Sequence, residues 1–228
     1  MKPLLPQLTD STNPQALAGR MRQARFALFQ QLVRQLAQTG EIEVLDVGGA
    51  PEYWQQMVGF AELPVRVTLL NLIPYPTPSH PRLRAAVGDA RAMPQYADGA
   101  FALVHSNSVI EHVGTWEDQT RFSAEIRRIG RAYFVQTPNR YFPIEPHFLL
   151  PGFQFLPTAL KTRLARRWRP GWYRRRPAAI AVADAQTIRL LTKQEMRRLF
   201  PDAVLWEERF FGLTKSFVAY RAPAELPA

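Results

Sequence analysis

The sequence predicts an α/β fold in which a mostly parallel sheet is covered by helices on both faces and closed by an antiparallel C-terminal hairpin. Three observations carry this. The runs "EIEVLDV", "VRVTLLNL", "AFALVHSN" and "RAYFVQTP" are apolar almost throughout rather than strictly alternating, which marks strands buried on both faces. Helical patterns or long loops separate them, as a parallel sheet requires. Near the end, "AVLWEERFFGLTKSFVAYRA" reads as two strands joined at Gly212. With 228 residues, 46% of them hydrophobic, the chain suffices for one domain with a sizeable core.

From Pro14 to about Thr39, Leu17, Met21, Ala24, Leu28, Leu32 and Leu36 recur every three or four positions behind an Asn13-Pro14 start signal, and predict an amphipathic helix. Residues 1–40 are thus expected as an N-terminal helical extension and 41–228 as the principal domain. "PEYWQQMVGF" is a weaker helical pattern after the first strand, and "LRAAVGDA" a strand ending at Asp89. "TWEDQTRFSAEIRRIG" opens with a Thr115–Asp118 capping signal and stops at Gly130. In "LTKQEMRRLFP", Thr192 and Glu195 play the same opening part. Together with the hairpin, the strands number seven.

Residues 138–177 break the rhythm with prolines, aromatics and a dense basic cluster, and are expected as a lid-like insertion. There Phe153, Phe155, Leu156, Leu160, Leu164 and Trp168 alternate with Lys161, Arg163, Arg166, Arg167, Arg169 and Arg174 to Arg176. Such a segment suits an anionic membrane interface over 153–176. The same residues suit RNA phosphates and bases, or a solvated face whose stems cover the core. RNA is the less favoured partner because no recognised RNA-binding module accompanies the cluster.

Net charge is +10, which favours an anionic partner without naming it. Cysteine is absent, which excludes disulfides, thiolate metal sites and thiol nucleophiles. "MKPLLPQLTDSTNP" has too short and too Pro-broken an apolar run for a secretory signal, so a cytoplasmic location is expected, with possible contact at the inner membrane face.

In open α/β sheets ligands bind beyond the carboxyl ends of the strands. The polar groups expected there are Asp46-Val47-Gly48-Gly49, Asn71, Asp89, Ser106-Asn107-Ser108 and Thr137-Pro138-Asn139, in strand order. Glycines let backbone approach a ligand closely, and Asp46 can accept from a backbone amide or a ligand ammonium. A polar residue ending the second strand lies where ribose hydroxyls are gripped, and Asp89 can accept from an adenine amino group.

This ordered series resembles the class I S-adenosylmethionine-dependent methyltransferases, particularly small bacterial members of the methyltransferase type 11 or ubiquinone-biosynthesis kind. The resemblance covers roughly residues 41–138: "VLDVGGAPEYW" stands for the glycine-rich cofactor loop, "GDARAMP" for the adenine-contacting segment and "FALVHSNSVIEHV" for the fourth-strand motif. It implies a Rossmann-like fold, S-adenosylmethionine as cofactor, and cofactor contacts from Asp46, Gly48, Gly49, Ala50, Asn71, Leu72, Asp89, Ala90, Ser106 and Asn107. The family's loop is commonly DxGxGxG, but Ala50 and Glu52 occupy the later glycine positions. Its second strand usually ends in an acid, here Asn71.

Some quinone-type relatives carry an ExxEH divalent-metal pattern. Glu111 and His112 match its last two positions, whereas Ser108 replaces the first carboxylate, so no metal is expected. His105, inside the strand, is expected in the core. His112 is a candidate base or substrate-orienting group, or else an anchor for the fourth-strand loop. Glu145 and His147 are candidates for a base and its orienting partner, or for structured elements of a Pro-rich lid. The expected reaction is methyl transfer to a hydroxyl or amine of a small-molecule, glycan or lipid-like acceptor. RNA or protein methylation, or a non-catalytic module of the same fold, is the alternative.

Overall fold

The computed structural model describes residues 17–76, 78–168, Tyr173 and 177–222. Seven strands form one sheet: β1 Ile42–Val47, β2 Val65–Asn71, β3 Leu83–Val87, β4 Phe101–Asn107, β5 Gly130–Pro138, β6 Val204–Phe210 and β7 Leu213–Arg221. Their order is β3-β2-β1-β4-β5-β7-β6. Strands β1 to β5 pair in parallel, and β7 runs antiparallel to both β5 and β6. The chain reverses direction across the sheet at β1 and β4, so the loops after these two strands diverge and leave a crevice.

Helix α1 spans Leu17–Leu36 and α2 spans Pro51–Gln56. The expected start of α1 at Pro14 lies outside the described residues; its end comes at Leu36, ahead of the turn through Gly40, whose φ is 148°. This helix is an integral layer of the domain. Phe26, Phe29, Leu32 and Val33 are buried with Trp54, Met57 and Phe60 against Val44, Val67 and Phe134 of the sheet. Arg25 also reaches Glu208 on β6, its Nη1 lying 3.1 and 3.0 Å from the two carboxylate oxygens.

The opposite face is covered by α3, Trp116–Ile129, and α6, Lys193–Leu199. Both start with the capping boxes their sequences predict: Thr115 with Asp118, and Thr192 with Glu195. Phe122, Ile126 and Ile129 of α3 and Met196 and Leu199 of α6 pack on Leu45, Val104, Tyr133 and Val135. The hairpin turns through Phe211 and Gly212, at φ 46° and 80°.

The insertion has its own small core. Helices α4, Thr158–Arg167, and α5, Ala178–Thr187, enclose Phe148, Phe153, Ala165, Tyr173, Ala181 and Ala185. Composition marked residues 138–177, yet α5 lies beyond that limit and packs on α4 as part of the same unit. Its "AAIAVADAQT" has neither the charge nor the aromatics that single out the preceding stretch. Arg169 and Arg174 to Arg176 lie outside the described residues.

Candidate active site

The crevice is built from the ends of β1 to β4. After β1 the chain turns at Gly48, whose φ is 73° and whose N–H donates to the Leu70 carbonyl of β2 at 2.8 Å. Only glycine fits at 48 and 49: an added Cβ would approach Val109 to 2.5 Å and the Asp46 carboxylate to 1.9 Å. The loop therefore presents bare backbone. Ala50 is half-buried and immediately precedes α2, whose first residue is Pro51.

Asp46 holds this loop from beneath. It is buried, and each oxygen already has a partner: Trp54 Nε1 donates to Oδ2 at 2.7 Å, and His105 Nδ1 lies 2.7 Å from Oδ1. Parallel pairing sets this up, because Asp46 sits beside His105 in the β1–β4 register. His105 lies in the aromatic core between Phe29, Tyr53, Trp54 and Phe134. The sequence reading gave Asp46 a loop amide or a ligand ammonium; in the structure its carboxylate is bonded to two core rings.

Asn71, at the end of β2, donates its amide to the Gly49 carbonyl at 2.9 Å and so ties β2 to the loop. Beyond it Leu72 is 67% and Ile73 76% exposed, an apolar lip on the crevice. Asp89 accepts from the Arg91 guanidinium and backbone N–H at 2.7 to 3.0 Å. Hydrogen bonding from Arg91, only partly opposed by burial, holds the Asp89 carboxyl below its ordinary range. Ala90 is half-buried against the core. Ser106 is fully buried and donates to the Val47 carbonyl at 3.2 Å, while Asn107 stays half-buried at the end of β4.

The three residues expected in catalysis meet at the turn that follows β4. His112 ends a 3-10 turn, Ile110–His112, just after β4, and His147 comes from the insertion. Their Nε2 atoms are 3.2 Å apart and the ring planes cross at 88°. Behind His147, Glu145 Oε1 lies 2.6 Å from Nδ1, and its Oε2 accepts the backbone N–H groups of His147 and Phe148 at 2.8 and 2.6 Å. Glu145 is buried and acts as an acceptor at both oxygens, so it holds a proton on His147 Nδ1 and leaves Nε2 as a lone pair. A neutral His112 then donates its Nε2–H to His147, which leaves its own Nδ1 as the acceptor. Loss of hydration lowers the His112 pKa below its ordinary value; at His147 burial acts the same way, but the Glu145 hydrogen bond and the charges of Glu145, Glu111 and Asp184 together outweigh it and raise the pKa.

A cavity of about 260 Å³ adjoins this cluster beneath the insertion, lined by Arg140, Glu145, Phe148, Phe153, Lys161 and Arg189 among others. Sequence reasoning missed Trp54. Nothing in "PEYWQQ" signals that the indole reaches Asp46. Glu111 is fully buried, accepts from Thr137 Oγ1 at 2.9 Å and is placed by the β4–β5 packing.

Comparison with known proteins agrees with this architecture. Residues 45–132 match the family model described as a methyltransferase domain. Two curated proteins of Mycobacterium tuberculosis, the uncharacterized proteins Rv1509 and MT1557, are each 30% identical over 70 residues. That stretch is 31% of this chain and only 24% of either relative. Among solved structures, the CurJ carbon methyltransferase superposes with a TM-score of 0.58 at 9% identity, over 95% of this chain and 57% of that one. A Methanosarcina mazei protein of the SAM-dependent methyltransferases gives 0.50 at 12%, over 80% and 92%. Phosphoethanolamine N-methyltransferase 2 of Haemonchus contortus, solved with S-adenosylhomocysteine, gives 0.50 at 13%, over 81% and 38%. These structures share the fold. The matched segment runs from β1 into β5, the part of the sheet that forms the crevice.

The methyltransferases that the chain resembles use S-adenosylmethionine, and the residues present fit it. The crevice offers bare backbone at Gly48 and Gly49, an exposed apolar lip at Leu72 and Ile73, and side-chain acceptors at Asn71 and Asp89.

Proposed function

We propose that the chain transfers a methyl group from S-adenosylmethionine to a hydroxyl or amine of a small-molecule, glycan or lipid-like acceptor seated beneath the insertion. The observation that supports this reading is the meeting of His112, His147 and Glu145, the last of which also lines the 260 Å³ cavity. Backbone from Asp46 to Ala50 with Asn71, Leu72, Asp89, Ala90 and Asn107 would hold the cofactor. Asp89 can accept from an adenine amino group alongside Arg91, because a carboxylate has about four lone-pair sites. Ser106 would contribute by holding β4 against Val47.

When bound, the cofactor supplies an electrophilic methyl carbon on a positively charged sulfur that departs with the electrons of the broken bond. The insertion aligns the acceptor, whose lone pair forms the new bond. Its proton goes to His112 Nδ1, while the Nε2 proton moves on to His147, whose imidazolium Glu145 stabilises.

Titration calorimetry with S-adenosylhomocysteine is the first test, and no binding heat would sink the reading. Next, His112→Ala is expected to lower the turnover of an identified acceptor by about 10²- to 10⁴-fold, with S-adenosylhomocysteine affinity unchanged. Equal loss of affinity would make His112 a loop anchor instead.

The outer face of the insertion supports a membrane-proximal acceptor. Phe155, Leu160 and Trp168 are exposed beside the exposed Arg163, Arg166 and Arg167. No helix among the described residues is long and apolar enough to cross a membrane. Cosedimentation with phosphatidylserine vesicles, compared with phosphatidylcholine vesicles and with RNA, tests this contact.

A further inference from the structure

We propose that Glu111, His112 and His147 form a seat for a zinc-class divalent ion that pins the insertion to the loop after β4. This goes beyond methyl transfer and does not depend on it, since the binding is read without cofactor or acceptor; with the ion bound both Nε2 atoms are ligands, so the proton relay above belongs to the metal-free chain.

One ligand atom from each of the three residues lies within 4.8 Å of the other two. The 3.2 Å between the two Nε2 atoms is close to the edge of a tetrahedron with metal–nitrogen bonds of 2.0 to 2.1 Å, about 3.3 Å. Glu111 adds a second, independent observation. It is wholly buried; Thr137 satisfies its Oε2, and Oε1 has no hydrogen-bond partner among the described residues. A buried carboxylate oxygen left without a donor is costly, and a cation relieves that cost.

The supporting contacts suit a metal centre. A ligating histidine commonly donates its other ring N–H to a carboxylate, which fixes the tautomer and the ring orientation. Glu145 holds His147 in this way, and two backbone N–H groups hold Glu145. Thr137 positions Glu111 similarly. Two imidazoles and one carboxylate make a nitrogen-rich set suited to zinc-class ions, whereas magnesium and calcium favour all-oxygen sets. Three protein ligands leave a fourth position open.

Sequence reasoning expected no metal, because Ser108 stands where a pattern of consecutive ligands needs a carboxylate. Ser108 indeed turns away: its φ is 57° and its hydroxyl donates to Gln136 Oε1 at 2.8 Å. The third ligand comes instead from His147, 35 residues further along the chain.

The experiment adds zinc, and in parallel cobalt, to the full chain after chelation and dialysis. Expected results are one tight equivalent by calorimetry and elemental analysis, a raised melting temperature, and the visible absorption of tetrahedral cobalt. His147→Gln and His112→Ala should each abolish tight binding, and Glu145→Gln should weaken it about 10- to 100-fold. Because the exposed His112 ring carries little of the packing, His112→Ala keeps the test valid if His147→Gln fails to fold. Absence of tight zinc uptake, or uptake unchanged in folded His112→Ala, would overturn the proposal.

Discussion

Trp54→Phe isolates the contact that fixes the cofactor loop. The substitution removes the indole N–H that donates to Asp46 Oδ2 at 2.7 Å in a fully buried setting. A hydrogen bond to a charged group contributes about 1.5–3 kcal/mol, and His105 continues to hold the other oxygen. The melting temperature should fall by roughly 3–12 °C, at 2–4 °C per kcal/mol for a chain of this size. Urea unfolding gives the free energy directly. Trp54→Phe also removes ring volume, which a cycle with Asp46→Ala subtracts. In that background the indole has already lost its acceptor, so only the packing loss should remain, with a coupling of about 1.5–3 kcal/mol. Binding of S-adenosylhomocysteine should weaken in parallel. A coupling below about 0.5 kcal/mol, the limit of additivity for independent sites, would refute the view that the Asp46 carboxylate carries the loop.

Gly49→Ala forces a Cβ to within 1.9 Å of Asp46 Oδ2, so the carboxylate must leave Trp54; a loss of about 2 kcal/mol or more is expected by chemical denaturation. Arg25→Ala strips the mostly buried Glu208 of its closest cation and should cost about 3 kcal/mol; a near-neutral result in the same assay would make α1 the separate extension that its sequence suggests. Asp202 accepts from Tyr133 at 2.7 Å and from Arg221 at 2.6 Å. Burial alone would raise its pKa, but these bonds outweigh burial and hold it below the ordinary 3.8. Its contribution is therefore complete above pH 3.8 and is lost as pH falls through the lower folded value. In melting scans, Asp202→Asn should be less stable than the parent above pH 3.8, and the gap should close below it.

Local physics made much of the fold legible. Capping pairs such as Thr115–Asp118 act over three residues and so show in the sequence, whereas the stripe read through Ala24, Leu28 and Leu32 in α1 is shifted: Phe26, Phe29, Leu32 and Val33 are the residues buried. The extent of the insertion did not: α5 is a bland alanine-rich segment whose membership depends on Phe148, Phe153 and Tyr173 arriving from elsewhere. At the site, the order Asp46, Asn71, Asp89, Asn107 along successive strand ends follows from a parallel sheet alone. The bonding of Asp46 to His105 depends on lateral register between β1 and β4, which no spacing within either strand records.

What the sequence by itself determined is therefore the parallel sheet, its antiparallel edge and the row of polar residues along its carboxyl ends, because helix and strand periods and turn chemistry are local. Only the tertiary structure decided which of those side chains are already bonded within the scaffold. It moved Asp46 and Ser106 into support, left Leu72 and Ile73 exposed, and brought His147 across the chain to His112 beside an unpaired Glu111 oxygen. Hydrogen-bond partners within about 3 Å are set by packing between distant segments, and the insertion's path over the sheet is fixed by its own buried core.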